Sequence, residues 1–317
     1  IIAAENDHSD IERLRRIASL LRQQRQFPRA LKLYEVIASI QKEQPIDFSY
    51  IALQLELGKL YFLTEQPKSS AKALSLVKTA LQDPGKYNLT EQQKKQLEGK
   101  NGATYLVIGE SMLLAGKGAE AEAMFLEVNR IQPDAPLLAF RLARTLEKRK
   151  QTDKSLEQLN VFLAAKRSDQ GIAPLLLLER LFKQQYKQEA KASGKYLETL
   201  LGLQQADPKN QPLTYQLAQV QFAQKNYAEA AKLYESLLAG KPTADAYRGI
   251  IAVHATQLAK SIADKPAKDQ IKWSEQQQDQ WQTLIKHLTS FVGSSGSVDP
   301  LGNDLAEQIF DNKRNNV

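Results

Sequence analysis

The chain has 317 residues, of which 42% are hydrophobic and 25% charged, a composition typical of folded proteins that excludes global disorder. Its 43 basic and 36 acidic side chains leave a net charge of +7 spread along the sequence, which excludes the dense cationic block of a nucleic-acid-binding arm. The lack of cysteine excludes disulfides, thiolate metal sites and cysteine nucleophiles, and no stretch approaches the roughly 20 apolar residues of a membrane span.

Residues 1–10 are predicted to form a flexible N-terminus. They begin with Ile1-Ile2-Ala3-Ala4 rather than with Met. A signal peptide ends in small residues at its cleavage site, so residues 1–4 are one candidate for the stub of such a peptide, processed near Ala4. Two interpretations stay open, export to the periplasm or outside the cell and a trimmed cytoplasmic chain.

The rest of the chain is dominated by Ala, Leu, Gln, Lys and Glu, which are strong helix formers. Alternating β-branched and aromatic residues, the pattern of strands, are nearly absent. An all-α fold is predicted.

Five segments carry the same residue pattern at the same spacing: a small residue, a second small residue, and then two large apolar residues. In two of them a proline follows. The segments are Ala18, Ala30, Tyr34 and Ile37; Gly58, Ser70, Leu74 and Val77; Gly109, Ala121, Phe125, Val128 and Pro133; Ala143, Ser155, Leu159 and Phe162; and Ala218, Ala230, Tyr234, Leu237 and Pro242.

This pattern describes a helical hairpin. Two antiparallel helices cross closely only where each offers a small side chain, and the large apolar residues form a buried stripe. Proline ends the second helix. One hairpin cannot bury its apolar faces alone, so successive copies must stack.

The pattern resembles the tetratricopeptide repeat, whose 34-residue period separates Gly109 from Ala143. The resemblance implies a right-handed α-solenoid of stacked antiparallel helix pairs over residues 11–244. Five clear units and one degenerate pair are predicted. The clear units are 11–44, 51–84, 102–135, 136–169 and 211–244.

Two irregular segments interrupt the units. Residues 91–98 are predicted to lengthen the next first helix, with Thr90 as its cap. Residues 172–186 and 196–206 are predicted to form the degenerate pair, joined by a turn at 187–195 that contains Gly194.

A C-terminal cap is predicted over residues 245–292. It consists of amphipathic helices at 245–262 and 271–292, separated by a break at 264–266. Trp281, Leu284, Ile285, Leu288 and Phe291 share one face of the second helix. Residues 293–317 are predicted to be a flexible tail, with a short turn at 305–310.

No catalytic chemistry is indicated by the sequence. His8, His254 and His287 show no metal-ligand spacing, and Gly116-Lys117-Gly118 lacks the spacer and hydroxyl residue of a phosphate-binding loop. We predict no catalytic, cofactor-binding or metal-binding residues, no cofactor, and a protein that is not an enzyme.

The family resemblance implies that the first helix of each pair lines a concave face on which ligands lie. Carried over by repeat position, this groove contains bases and aromatic residues, which are the usual anchors of binding energy. A basic groove suits a protein or peptide partner with acidic character. The alternative is that Phe62, Phe140 and Phe222 pack between repeats. The predicted groove residues are Arg15, Arg22, Lys59, Phe62, Phe140, Arg144, Tyr215, Gln219 and Phe222.

The leading functional prediction is a scaffold or adaptor for other proteins. One alternative is the helical accessory arm of a larger enzyme or of a membrane or envelope assembly. RNA binding ranks lower, because Glu12, Glu110 and Glu147 interrupt the basic groove.

Overall fold

The computed structural model describes residues 10–42, 45–133, 135–240, 242–263 and 274–295. The described residues form fifteen α-helices and two short 3-10 helices and contain no strand, which confirms the all-α prediction. The predictions for the N-terminus at 1–9, the break at 264–266 and the tail beyond residue 295 lie outside the described residues.

The helices divide into two compact units, residues 1–165 and 166–317. The helices of the first unit are α1 (Ile11–Gln23), α2 (Phe27–Gln41), α3 (Phe48–Leu63), α4 (Pro67–Gln82), α5 (Glu91–Glu98), α6 (Ala103–Leu114), α7 (Gly118–Ile131), α8 (Pro136–Lys148) and α9 (Thr152–Ala164). Those of the second unit are α10 (Ala173–Gln185), α11 (Glu189–Ala206), α12 (Gln211–Ala223), α13 (Tyr227–Gly240), α14 (Ala244–Ala263) and α15 (Glu275–Ser295).

The turn inside each regular hairpin has one left-handed residue at the same repeat position. In four of the five hairpins that residue is not glycine: Arg25 (φ 59°), Glu65 (φ 58°), Lys150 (φ 59°) and Lys225 (φ 64°), with Gly116 (φ 81°) in the fifth. The left-handed conformation disfavours a side chain. The turn is therefore imposed by the packing of the two helices and not by local preference.

The two small positions of each hairpin are buried, as predicted. Ala18, Ala30, Ala121, Ala143, Ala218 and Ala230 are fully buried. A Cβ atom at Gly58 would lie 2.4 Å from Cγ of Leu74. Close approach of the paired helices therefore depends on the missing side chain.

Where the second small residue is serine, its hydroxyl bonds to the partner helix. The Oγ atoms of Ser70 and Ser155 donate to the carbonyl oxygens of Gly58 and Ala143, both at 2.7 Å. Both serines are fully buried. Each bond ties the two helices of a hairpin at their crossing.

We expect Ser155→Ala to lower the free energy of unfolding by about 0.5–1 kcal/mol, because a buried hydrogen bond is lost while helix propensity improves slightly. Urea denaturation measures the change. The exposed Ser39 on α2, whose hydroxyl bonds only within its own helix, is the control. A loss in Ser39→Ala as large as that in Ser155→Ala would show that the crossing bond contributes nothing.

Two predictions for the irregular segments are wrong. Helix α5 does not extend α6, because Gly99 (φ 70°) ends it and a 3-10 turn at Lys100–Gly102 separates the two helices. The cap at Thr90 is confirmed, since its side chain accepts from the amide of Gln93 at 3.2 Å. Helix α11 begins at Glu189, so Gly194 lies within a helix and not in a turn.

The environment of Gly194 explains why the predicted turn at this residue is wrong. No atom lies within 4 Å of the position its Cβ would occupy, so this glycine sits on an exposed helix surface, where it costs about 1 kcal/mol relative to alanine. Buried Ala192, Tyr196 and Leu200 on the other side of α11 hold the helix together across it.

Helices α14 and α15 of the second unit share an apolar cluster with α12 and α13. Leu284 and Phe291 of α15 are buried, and Trp281 and Leu288 are partly buried in this cluster. Ile285, predicted on the same face, is instead exposed. The apolar stripe of α15 is therefore narrower than its sequence indicates.

Candidate functional site

In the first unit, α1 and α3 place their polar side chains next to each other. Arg15 donates from Nη2 to Oγ of Ser49 at 2.9 Å and to Oε1 of Gln41 at 3.1 Å. Arg22 Nη1 lies 3.3 Å from Oε2 of Glu56. These contacts join the two successive first helices along one face.

Glu56 also accepts a hydrogen bond from Nζ of Lys59 at 2.8 Å. Phe62 lies one turn beyond Lys59 on the same side of α3 and is half-buried. We call Arg15, Arg22, Glu56, Lys59 and Phe62 the α1–α3 patch. It combines three cations, one carboxylate and an accessible aromatic ring.

Tyr34 of α2 lies beneath this patch. Burial, followed by the negative charge of Glu56, raises the pKa of its hydroxyl, while Arg22 and Arg15 act in the opposite direction. Because a raised pKa keeps the hydroxyl neutral to higher pH, Tyr34 adds no charge to the patch at neutral pH.

Helices α6 and α8 form a second, more tightly paired group. Glu110 accepts from Nε of Arg141 at 2.9 Å and from Nη1 of Arg144 at 3.2 Å. The side chain of Glu110 is 16% exposed, so this pair is less screened by solvent than the pair between Arg22 and Glu56. We call Glu110, Arg141 and Arg144 the α6–α8 patch.

Phe140, predicted as a groove residue, is instead part of the core. It is 4% exposed, and its ring lies 5.1 Å from the ring of Phe162. The guanidinium of Arg144 lies 5.9 Å from the centroid of the same ring. Phe140 therefore supports Arg144 from below and has almost no surface to offer a partner.

In the second unit, the three predicted residues lie on one side of α12. Nε2 of Gln219 donates to the hydroxyl of Tyr215 at 2.9 Å, and burial raises the pKa of that hydroxyl. Phe222 is half-buried, with its ring 5.6 Å from that of Tyr227. We call Tyr215, Gln219 and Phe222 the α12 patch. It carries no charge of its own at neutral pH.

The pairing of the predicted cations is the feature that sequence reasoning missed. The partners Glu56 and Arg141 were not among the predicted residues, and Glu110 was read only as an interruption. A signal was present: Lys59, Glu110 and Arg144 directly follow the first small residue of three successive units and alternate in sign. Equivalent positions of neighbouring repeats lie side by side, so opposite charges there predict ion pairs between repeats.

Within the described residues, no helix is long and apolar enough to cross a membrane.

Comparisons with known proteins bear on the repeats. A family model described as tetratricopeptide repeat matches residues 190–253. The chain resembles the solved C-terminal part of a repeat-containing protein from Cytophaga hutchinsonii, with 11% identity, a TM-score of 0.51, and coverage of 93% of this chain and 98% of that chain. No curated protein matches the sequence.

Two further structures are similar at lower scores. One is a tetratricopeptide repeat protein from Parabacteroides merdae, with 12% identity, a TM-score of 0.47, and coverage of 88% of this chain and 98% of that chain. The other is yeast Tom70, with 17% identity, a TM-score of 0.44 and coverage of 84% of this chain. The chain spans 58% of the length of the Tom70 structure.

Proposed function

We propose that this chain is a scaffold or adaptor that binds a peptide or protein segment through its first helices. A tetratricopeptide repeat model matches residues 190–253, and the fold resembles that of a solved repeat-containing protein. Such repeats generally serve as non-catalytic scaffolds for protein interaction. The observation that carries the proposal is the α1–α3 patch. There, partly exposed cations and an aromatic ring from two successive first helices meet on one surface. Arginine and aromatic side chains are common anchors of protein interfaces.

The contact residues we propose are Arg15, Arg22, Lys59 and Phe62, with the α12 patch as a second contact region in the other unit. Phe140 is removed from this set because it is buried. Arg144 stays in the set as a more rigid cation, since it is held by both Glu110 and the ring of Phe140.

An acidic segment is the partner that suits the α1–α3 patch. Arg22 and Lys59 share the carboxylate of Glu56, Arg15 lies 3.6 Å from the exposed carboxylate of Glu12, and the whole chain carries a net charge of +7. A carboxylate of the partner can replace Glu56 beside Arg22 or Lys59 and leave the other cation paired. Because exposed ion pairs are screened by salt, binding of this kind weakens as ionic strength rises.

The test compares a triple variant of the patch, Arg22→Ala, Lys59→Ala and Phe62→Ala, with a matched variant on second helices. The matched variant, Lys32→Ala, Lys72→Ala and Leu126→Ala, also removes two cations and one apolar side chain, all from exposed positions on α2, α4 and α7. Each protein is immobilised, and the proteins it retains from cell and envelope extracts are quantified by mass spectrometry at low and high salt.

We expect the wild type and the matched variant to retain a common partner protein at low salt, and the patch variant to retain at least about tenfold less of it. At high salt we expect the wild type to release this protein as well. Equal retention by all three proteins would contradict the proposed surface. Equal melting temperatures of the three proteins exclude unfolding as the cause.

A further inference from the structure

The last three helices of the second unit bring two imidazoles and a carboxylate together. Glu235 lies on α13, His254 on α14 and His287 on α15, and one ligand atom of each lies within 4.8 Å of the other two. The two imidazole rings are stacked, with centroids 5.4 Å apart and an angle of 10° between their planes. Glu235 is exposed, and both histidines are partly buried.

Apolar packing explains the position of these helices but not this polar group. The buried residues of α14 and α15, among them Ile250, Leu284 and Phe291, form the cluster that joins them to α13. Nε2 of His254 is buried and has no hydrogen-bond partner among the described residues. A buried polar atom without a partner costs about 1–3 kcal/mol, so its position calls for a ligand.

Both imidazoles are partly buried and lie beside the carboxylate of Glu235. Burial, followed by the charge of His287, lowers the pKa of His254, and Glu235 opposes this effect. Burial also lowers the pKa of His287, where Glu235 opposes the effect and Lys286 adds to it.

The donor set is one that suits Zn²⁺. Two histidines and one glutamate are a known zinc ligand set, with metal–nitrogen and metal–oxygen distances of about 2.0–2.2 Å, and water completes the tetrahedron. Ligand atoms at the corners of such a tetrahedron lie about 3.3 Å apart. The observed separations are within 4.8 Å, and the two rings are nearly parallel, whereas each nitrogen lone pair lies in the plane of its ring. Binding of one ion therefore requires rotation of an imidazole about its side-chain torsions as well as rotation of the exposed Glu235.

We propose that Glu235, His254 and His287 form a binding site for Zn²⁺ or a similar first-row divalent cation. The ion clamps α15 and α14 to α13 and holds the C-terminal helices of the second unit to the repeat before them. This site goes beyond the scaffold function and does not depend on it.

Sequence spacing did not predict this site. Metal sites recognisable from sequence place two ligands within a few residues of each other, whereas here each ligand comes from a different helix. The prediction that no residue binds metal followed from that spacing alone.

The test measures binding of Co²⁺ and Zn²⁺ to the untagged full chain after treatment with a chelator. Co²⁺ reports tetrahedral nitrogen and oxygen ligation through its visible absorption, and calorimetry with Zn²⁺ gives the affinity and the stoichiometry. The variants are Glu235→Gln, His254→Gln and His287→Gln. The control is His8→Gln, which replaces the one histidine of the chain that is not a proposed ligand.

We expect one equivalent of Zn²⁺ to bind the wild type and His8→Gln equally, and each ligand variant to bind at least about tenfold more weakly. Zn²⁺ is expected to raise the melting temperature of the wild type but not that of Glu235→Gln, an exposed substitution that the fold tolerates. No stoichiometric binding by the wild type would overturn the site. Binding that persists when His254 and His287 are both replaced would overturn it as well, because the ion would then lie elsewhere.

Discussion

Gly109→Ala is expected to lower the free energy of unfolding by about 2 kcal/mol, although alanine is the better helix former. Gly109 lies in the middle of α6, and its added Cβ would stand 2.5 Å from Cε1 of Phe125 and 2.9 Å from Cζ. Phe125 is fully buried, so its ring has no free space to enter. The two helices must therefore move apart, and the packing of the hairpin loosens.

The matched control is Gly202→Ala in α11, where no atom lies within 4 Å of the added Cβ. There we expect an increase in stability of about 0.5–1 kcal/mol, since only helix propensity changes. Chemical denaturation of both variants measures the difference. A shorter partner should relieve the clash, so Gly109→Ala combined with Phe125→Leu should cost less than the sum of the two single changes. Additive costs would mean that the Gly109 effect does not arise at this crossing.

The repeat pattern predicts the regular hairpins because it encodes their closest contact. Gly109 and Phe125, or Gly58 and Leu74, are paired in sequence by fixed spacing and in space by the same crossing. The segments that the sequence misread lack that pairing. Gly99 ends α5 through its own backbone conformation, whereas Gly194 stays helical because buried Ala192, Tyr196 and Leu200 hold α11 in place on its other side. Glycine thus ends the helix at position 99 and is tolerated within the helix at position 194, and only the surrounding structure distinguishes the two cases.

The positions of the candidate site residues could be predicted from the sequence, but the ion pairs that these residues form could not. The offsets placed Arg22 and Arg144 on first helices, yet their partners Glu56 and Glu110 come from neighbouring repeats. Whether two charges pair depends on distances between helices, which a pattern within one repeat does not contain. The same limit explains the cluster of Glu235, His254 and His287, whose members belong to three different helices.

Phe140→Ala is expected to lower the free energy of unfolding by about 3–4 kcal/mol, the cost of a large cavity in a core. The ring of Phe140 is 4% exposed, packs against the ring of Phe162, and lies under the guanidinium of Arg144. Its removal leaves Phe162 without its aromatic neighbour. Phe140→Leu, which keeps most of the volume, should cost less than about 1.5 kcal/mol.

The half-buried Phe62 provides the contrasting case. Phe62→Ala should cost about 1 kcal/mol of stability, because part of its ring is already in water. Guanidinium denaturation of Phe140→Ala, Phe140→Leu and Phe62→Ala should therefore rank Phe140→Ala as the least stable. If Phe140→Ala were as stable as Phe62→Ala, the ring of Phe140 would have to lie on the surface, where the family resemblance places it. Phe140 and Phe62 would then be equivalent surface residues, and Phe140 would belong to the proposed contact set.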